Sequence, residues 1–232
     1  MGWTNVYLEA NGKVVAECSA GDGKFDFLVP PGEYRLEAYG SQLVRRSVNV
    51  SIHPNQSEFT VDPIALKPSA IALLKGKIAP EFAEVAGWSG EPIRLSDLRG
   101  KYVLVDFWGY WCGPCVEAMP ILIELHEKFG DRGLAIVGVH FEADGQVDSS
   151  QKLKEKTAHF VEGIWQGKEL PFPNALVSGE SPQQGSTLDI YEIDRFPTTI
   201  LIDLERKIVG EFHARDLERA TERIEKLLEE IE

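Results

Sequence analysis

Cys112 and Cys115 stand two residues apart in "WCGPC" (111–115), after the apolar run "KYVLVDFWGY" and before "VEAMPILIELHEKFG". Two thiols at that spacing can form a redox pair, supply half of a zinc site, or do nothing. Their surroundings favour the first. A thiol attacks only as its thiolate, and free cysteine titrates at about 8.5, so something must stabilise the anion. A strand expected to end near Trp108 hands over to a helix expected from about Gly113-Pro114. The first amides of that helix lack intrahelical partners and carry about half a positive charge. Cys112 falls where an anion is stabilised. Pro114 suits the first turn because its missing N–H has no partner to lose there. Cys115 lies one turn further in, within reach of a short disulfide. The arrangement predicts Cys112 as the exposed attacking sulfur and Cys115 as the more buried resolving thiol.

A resolving thiol must lose its proton, and a buried carboxylate can accept it. Asp106 lies inside "VLVDFW", six residues before Cys112, where a charged side chain is costly. The competing reading is a solvated aspartate at a strand end. Apolar residues on both sides favour the buried base, with its pKa raised by desolvation.

Metal chemistry fits less well, because a zinc site needs four ligands and this motif supplies two. The five histidines, His53, His126, His140, His159 and His213, show no paired spacing near the cysteines. No metal and no small-molecule cofactor is expected, only the redox-active Cys112–Cys115 disulfide. Cys18, the third cysteine, alternates with Val14 and Ala16 and reads as a buried packing residue. His140, after "IVGV", reads as a structural residue at a strand end. Trp108 is expected to pack inside and Trp111 to sit at the rim, where an aromatic offers a partner peptide apolar contact area.

The elements around the motif follow two grammars. Residues 1–66 read as short strands broken by turn chemistry at Asn11-Gly12, Asp22-Gly23 and Pro30-Pro31-Gly32, with alternation in Phe25, Phe27 and Val29 and in Tyr34, Leu36 and Ala38. An all-β domain is expected there. A linker is expected over 67–77, with Pro68 and Pro80 bracketing the entry to a second domain. From 78 to 232 strands and helices alternate, which implies an α/β fold with a mixed sheet. "KYVLVDFW" and "LAIVGVHF" are buried strands, and Met119, Leu122, Ile123 and Leu125 recur at helical spacing before Gly130. Asp148 to Trp165 reads as a helix lined by Leu153, Phe160, Val161 and Ile164. "TTILIDLERKIVGEF" reads as a hairpin, and "DLERATERIEKLLEEIE" as an amphipathic helix with Leu217, Ile224, Leu227 and Leu228 on its buried stripe. The segment "QGKELPFPNALVSGESPQQGST" between them reads as a long functional or mobile loop.

With 232 residues and a net charge of −13, the chain can bury two modest cores, and a phosphate backbone would repel it. No nucleic-acid partner is expected. No apolar run approaches the roughly 20 residues that span a bilayer, and "MGWTNVYLEANG" lacks the basic-then-apolar pattern of a signal peptide.

Two stretches resemble known families. "GDGKFDFLVPPGEYRLEA" (Gly21 to Ala38) resembles the carboxypeptidase regulatory-like, or prealbumin-like, β-sandwich family. That implies a small seven-stranded type of sandwich without catalytic residues of its own, whose usual opening strand is not evident before Trp3. Residues from about 76 to 232 resemble a thioredoxin-fold domain of the TlpA/ResA-like group, on "GKIAPEF", "LSDLRGKYVLVDFWGYWCGPCVEAMP" and "RFPTTILID" in that order. This resemblance implies that Pro197 is a cis-proline facing the two cysteines, with Phe196 beside it presenting backbone to substrate. Trp111, Gly113 and Pro114 would complete the substrate-contacting rim. Many members carry a glutamate two residues before the proline of the first helix, where this chain has Ala118, so Asp106 is expected to serve alone. The Gly-Pro pair between the cysteines looks like that of a reducing thioredoxin.

The resemblance thus implies a thiol:disulfide oxidoreductase that reduces protein disulfides through a mixed disulfide. The resemblance further implies a protein thiol or disulfide substrate, a redox partner protein and an extracytoplasmic location, periplasmic or membrane-anchored. Two rival readings remain. A peroxiredoxin-like thiol peroxidase usually has a threonine three residues before its reactive cysteine, where this chain has Gly109. A non-catalytic binding or tethering module would place the function in the β-domain instead.

Overall fold

The computed structural model describes residues 4–40, 43–142, 147–178, 184–212 and 217–229, the side chains of 217–220 excepted. The chain divides into two compact units, Met1–Leu73 and Leu74–Glu232.

The first unit contains β1 (Thr4–Ala10), β2 (Lys13–Ser19), β3 (Gly32–Gly40) and β4 (Arg46–Ile52), in one antiparallel sheet of order β2-β1-β3-β4. Asn11 and Gly12, with φ of 51° and 72°, make the tight turn joining β1 to β2. Val6, Leu8, Leu36, Ala38 and Val50 form the apolar face. Phe25, Phe27, Val29, Val61, Ile64 and Leu66 pack on it from segments, 24–30 and 58–66, that belong to no strand or helix. Val14 departs from the expected inward stripe of Ala16 and Cys18. A bulge at Val15 pairs Val14 with Glu9 and turns it outward, leaving it 57% exposed. Cys18 is only partly buried.

Between the expected linker bounds the chain makes a short helix, α1 (Ala70–Leu74). The second unit adds β5 (Gly87–Ser89), β6 (Tyr102–Trp108), β7 (Leu134–Glu142), β8 (Asn174–Ser178), β9 (Thr198–Ile202) and β10 (Ile208–Phe212), with sheet order β10-β9-β6-β7-β8-β5. Strands β6, β7 and β8 run parallel, while β9, β10 and β5 pair antiparallel, so the sheet is mixed as expected. All seven residues of β6 are buried. Tyr102, Leu104 and Trp108 face α2 (Gly113–Phe129), and Phe107, on the other side, packs on Tyr191 at 5.5 Å.

Three helices complete the unit: α3 (Ser150–Glu162), α4 (Thr187–Ile190) and α5 (Leu217–Glu229). Helix α3 is shorter than expected, because Gly163 ends it before Ile164, which is 48% exposed and does not join Leu153, Phe160 and Val161. Ile224 and Leu228 of α5 are fully buried and Leu227 partly so, whereas the side chain of Leu217 lies outside the described residues. The segment read as one long loop contains β8. Pro171 and Pro173 precede it closely, and its five residues, "NALVS", were too short to stand out against that punctuation.

Pro120 sits inside α2, where it cannot donate to the carbonyl four residues back. That carbonyl, on Val116, accepts the indole N–H of buried Trp165 at 2.9 Å instead. Trp165→Phe is therefore expected to cost about 1–3 kcal/mol by stranding a buried acceptor. Adding Pro120→Ala should recover part of the loss by returning the backbone donor. Urea unfolding of the double-mutant cycle measures this, and strictly additive losses would show that the two residues do not share that carbonyl.

Candidate active site

The site is built where β6 ends. After Trp108 the chain turns through Gly109–Cys112, closed by the Cys112 amide on the Gly109 carbonyl at 3.0 Å, and α2 begins. Cys112 is the N-cap, with extended backbone and its Sγ accepting the Cys115 amide at 3.3 Å. A sulfur caps the helix, and no acidic residue in the first turn competes with it for the helix's positive end. Cys112 and Cys115 are joined as a disulfide with their Cα atoms 5.2 Å apart. Of the two, Cys112 keeps 8% exposure and Cys115 none. Gly113 and Pro114, between them, are exposed. Ala118 is buried in α2, and Glu117 points to solvent.

Asp106 shares the α2-facing side of β6 with Leu104 and Trp108 by strand alternation, and it is fully buried. Its neighbours in the sheet are Gly138 on β7 and Thr199 on β9. The Thr199 hydroxyl donates to Oδ1 at 2.7 Å, while Oδ2 has no hydrogen-bond partner among the described residues. Burial pushes the carboxyl up to about 7, and the Thr199 hydrogen bond offsets part of that rise. Two residues before Thr199, the Phe196–Pro197 bond is cis, in line with the expectation from the family resemblance.

Next to Cys112, Trp111 lies 48% exposed at the rim. Its indole N–H donates to the Phe141 carbonyl at 3.0 Å, and its ring meets Phe196 edge-on at 5.2 Å. Phe141 and Phe196 stack at 5.7 Å with planes only 7° apart. Gly109 makes room for this, since a Cβ there would come within 2.5 Å of the Trp111 ring. Trp111 and Phe196, far apart in sequence, are thereby brought together, and Pro197, next to Phe196, is buried.

Phe141 was missed by sequence reasoning, as were Thr199 and Asn174. Asn174 accepts the Trp108 indole N–H at 2.9 Å, and its amide occupies the space a Cβ on Gly138 would need. One signal was available for Phe141: it stands at the carboxyl end of a parallel strand beside β6, the edge where α/β sheets build their sites. Among the described residues no three His, Cys, Asp or Glu side chains converge as a metal site would require. His213 lies outside the described residues.

The profile of the AhpC/TSA family matches residues 75–223. The chain belongs to the AhpC/TSA family. Within it, the thiol-disulfide oxidoreductase ResA of Bacillus thuringiensis subsp. konkukian is 33% identical over 156 residues, 67% of this chain and 78% of that protein. ResA of Geobacillus kaustophilus is 32% identical over 157 residues, 66% and 79% of the two chains. Among solved structures, a Chlorobium tepidum protein assigned as the thiol:disulfide interchange protein DsbE superposes with a TM-score of 0.50 at 27% identity. That match covers 66% of this chain and 97% of the other. This AhpC/TSA-family chain is a thiol-disulfide oxidoreductase of thioredoxin-like fold.

The raised carboxyl has a consequence for stability. Folded Asp106 holds a proton up to about pH 7 that the unfolded chain releases near pH 4, so the folded state binds more protons across that window. Stability from this group is fully present below about pH 4, falls as pH rises and levels off above about pH 7. The whole swing is on the order of 4 kcal/mol. Asp106→Asn is expected to flatten that slope and to raise stability at about pH 8, as urea unfolding at about pH 5 and about pH 8 would measure. A variant keeping the parental slope would mean that another group titrates there.

Proposed function

We propose that this chain reduces protein disulfides, with Cys112 as the attacking sulfur, Cys115 as the resolving sulfur and Asp106 as the proton acceptor. The observation that carries the reading is the Cys112–Cys115 pair at the N-terminus of α2, directly after β6, the strand that carries the fully buried Asp106. The Cys112 thiolate attacks one sulfur of the substrate disulfide, and the other substrate sulfur leaves as a thiolate that takes up a proton. Cys115, losing its proton to Asp106, attacks the Cys112 sulfur of the mixed disulfide and expels the second substrate thiol. Two electrons pass to the substrate, and the chain is left in its disulfide form. A dithiol redox partner returns it to the reduced state. Substrate would lie along Trp111, Gly113, Pro114, Phe196 and Pro197, with the stacked Phe141 behind them.

A carboxyl near 7 supports the proton role, because a base that titrates at working pH can both take and return a proton. Gly109 supports reductase over peroxidase. The threonine of the peroxidase pattern would drive its Cβ into Trp111, so peroxide consumption is expected at background rate. We read the first unit as the carboxypeptidase regulatory-like sandwich, on the strength of its four antiparallel strands and the segments packed over their apolar face. We place the chain outside the cytoplasm, as the family resemblance implies. Among the described residues no helix is long and apolar enough to cross a membrane.

The equilibrium reduction potential of the Cys112–Cys115 pair, followed by tryptophan fluorescence in dithiothreitol and glutathione buffers, is expected near about −270 mV. A value near about −120 mV would reverse the direction and make the chain an oxidant. The division of labour has a separate readout. Cys115→Ser should accumulate a mixed disulfide with a substrate protein through Cys112, seen on non-reducing gels. Accumulation in Cys112→Ser instead would exchange the two roles.

A further inference from the structure

The turn that delivers Cys112 to the helix is tied down from β7 at two points. One is the Trp111 indole on the Phe141 carbonyl. The other is one residue earlier on both sides: the Tyr110 amide donates to His140 Nε2 at 3.4 Å. His140 pairs with Trp108 across the parallel ladder and is fully buried, its ring edge-on to Trp108 at 4.9 Å and stacked on Tyr110 at 5.6 Å with planes 11° apart. Burial pushes the imidazole down to about 4, so at neutral pH it is uncharged and Nε2 carries the lone pair that accepts the amide.

The remaining proton then sits on Nδ1, which is buried without a hydrogen-bond partner among the described residues. An apolar ring would fill the same aromatic slot without stranding a buried donor. What such a ring could not do is accept the Tyr110 amide.

We infer that His140 is a positioning residue for the attacking sulfur, holding the Gly109–Cys112 turn so that Cys112 stays at the N-cap of α2. Trp108 precedes the turn and Tyr110 lies within it, so the imidazole braces it from both sides. Letting it loosen would move Cys112 off the first-turn amides that favour its thiolate. The inference rests on Cys112 being the attacking sulfur.

The test is alkylation of the fully reduced chain by iodoacetamide across pH, with the labelled cysteine identified by mass spectrometry. His140→Phe keeps the ring without the acceptor, and His140→Asn keeps an amide that stops short of Tyr110. Both are expected to slow Cys112 alkylation at neutral pH by about three- to tenfold and to raise its thiol pKa. His140→Gln, whose carbonyl reaches where Nε2 lies, should return the rate to within about twofold of the parent. Parental rates in Phe and Asn, or equal losses in all three variants, would overturn the inference. Should the Phe variant not fold, the Asn and Gln pair decides by the same criterion. An ordinary thiol at Cys112 in the parent chain would overturn the proposed function and this inference together, whereas a reactive Cys112 indifferent to His140 would overturn only the inference.

Discussion

A buried strand that ends directly at a helix N-terminus forces the chain to turn within four residues, and most of this site follows from how that turn is closed. The Cys112 amide bonds back to Gly109, which leaves the Cys112 sulfur to cap the helix in place of a hydroxyl or carboxylate. The cap position is where a side chain meets unpaired backbone donors, so the fold itself supplies electrostatics that would lower a thiol's pKa. Gly109 is part of the same constraint. Without a Cβ it lets the Trp111 ring fold back across the turn and seat its N–H on β7. The rim aromatics and the sulfur are therefore set by one piece of backbone.

Below the turn, the face of the sheet carries more polarity than a core of this kind usually tolerates. Asp106 and Thr199 form one row, with the Asn174 amide passing over Gly138 beside them, and Trp108 reaches down to that amide from the next row. Nearly every polar atom there is matched to a named partner, which keeps the cost of burial low. Among the described residues the unmatched atoms include one Asp106 oxygen and one His140 nitrogen. Both lie on the segment or strand that supports the cysteines, where a stability optimum and a functional optimum need not coincide.

The legible parts of the sequence were those where burial is continuous. "KYVLVDFW" and "LAIVGVHF" are strands buried on both faces, and their apolar runs announce it. Helix α2 was readable from Met119, Leu122, Ile123 and Leu125, all buried. The cysteine motif and Asp106 were readable because their chemistry is specific to type and spacing, whereas the cis bond at Pro197 came from the family resemblance. What escaped was what only the assembled sheet creates. Strand β8 is five residues among prolines, and Asn174, its first residue, matters through partners on β6 and β7. Thr199 is an ordinary strand threonine until register sets it opposite Asp106. The bulge at Val15 reversed a face that simple alternation would have assigned correctly. His140 was read as structural, which its burial supports, yet its contact with Tyr110 arises only from the parallel pairing of β6 with β7.

The proposed reaction involves three acidic groups, two thiols and a carboxyl, and the fold does not treat them alike. The cap position favours charge on Cys112, whereas Cys115 and Asp106 are fully buried, where charge is disfavoured. In the proposed reaction Asp106 takes the Cys115 proton, so the two would not carry charge at once. That coupling argues for an order of events. In the proposed reaction, while Cys112 is a thiolate at the cap, the proton that stays on Cys115 limits the buried pair to the single charge of Asp106. Once Cys112 is consumed in a mixed disulfide, its negative charge is gone, and the interior can tolerate a thiolate at Cys115. On that reading the resolving sulfur would become competent when it is needed, once the charge on Cys112 is gone.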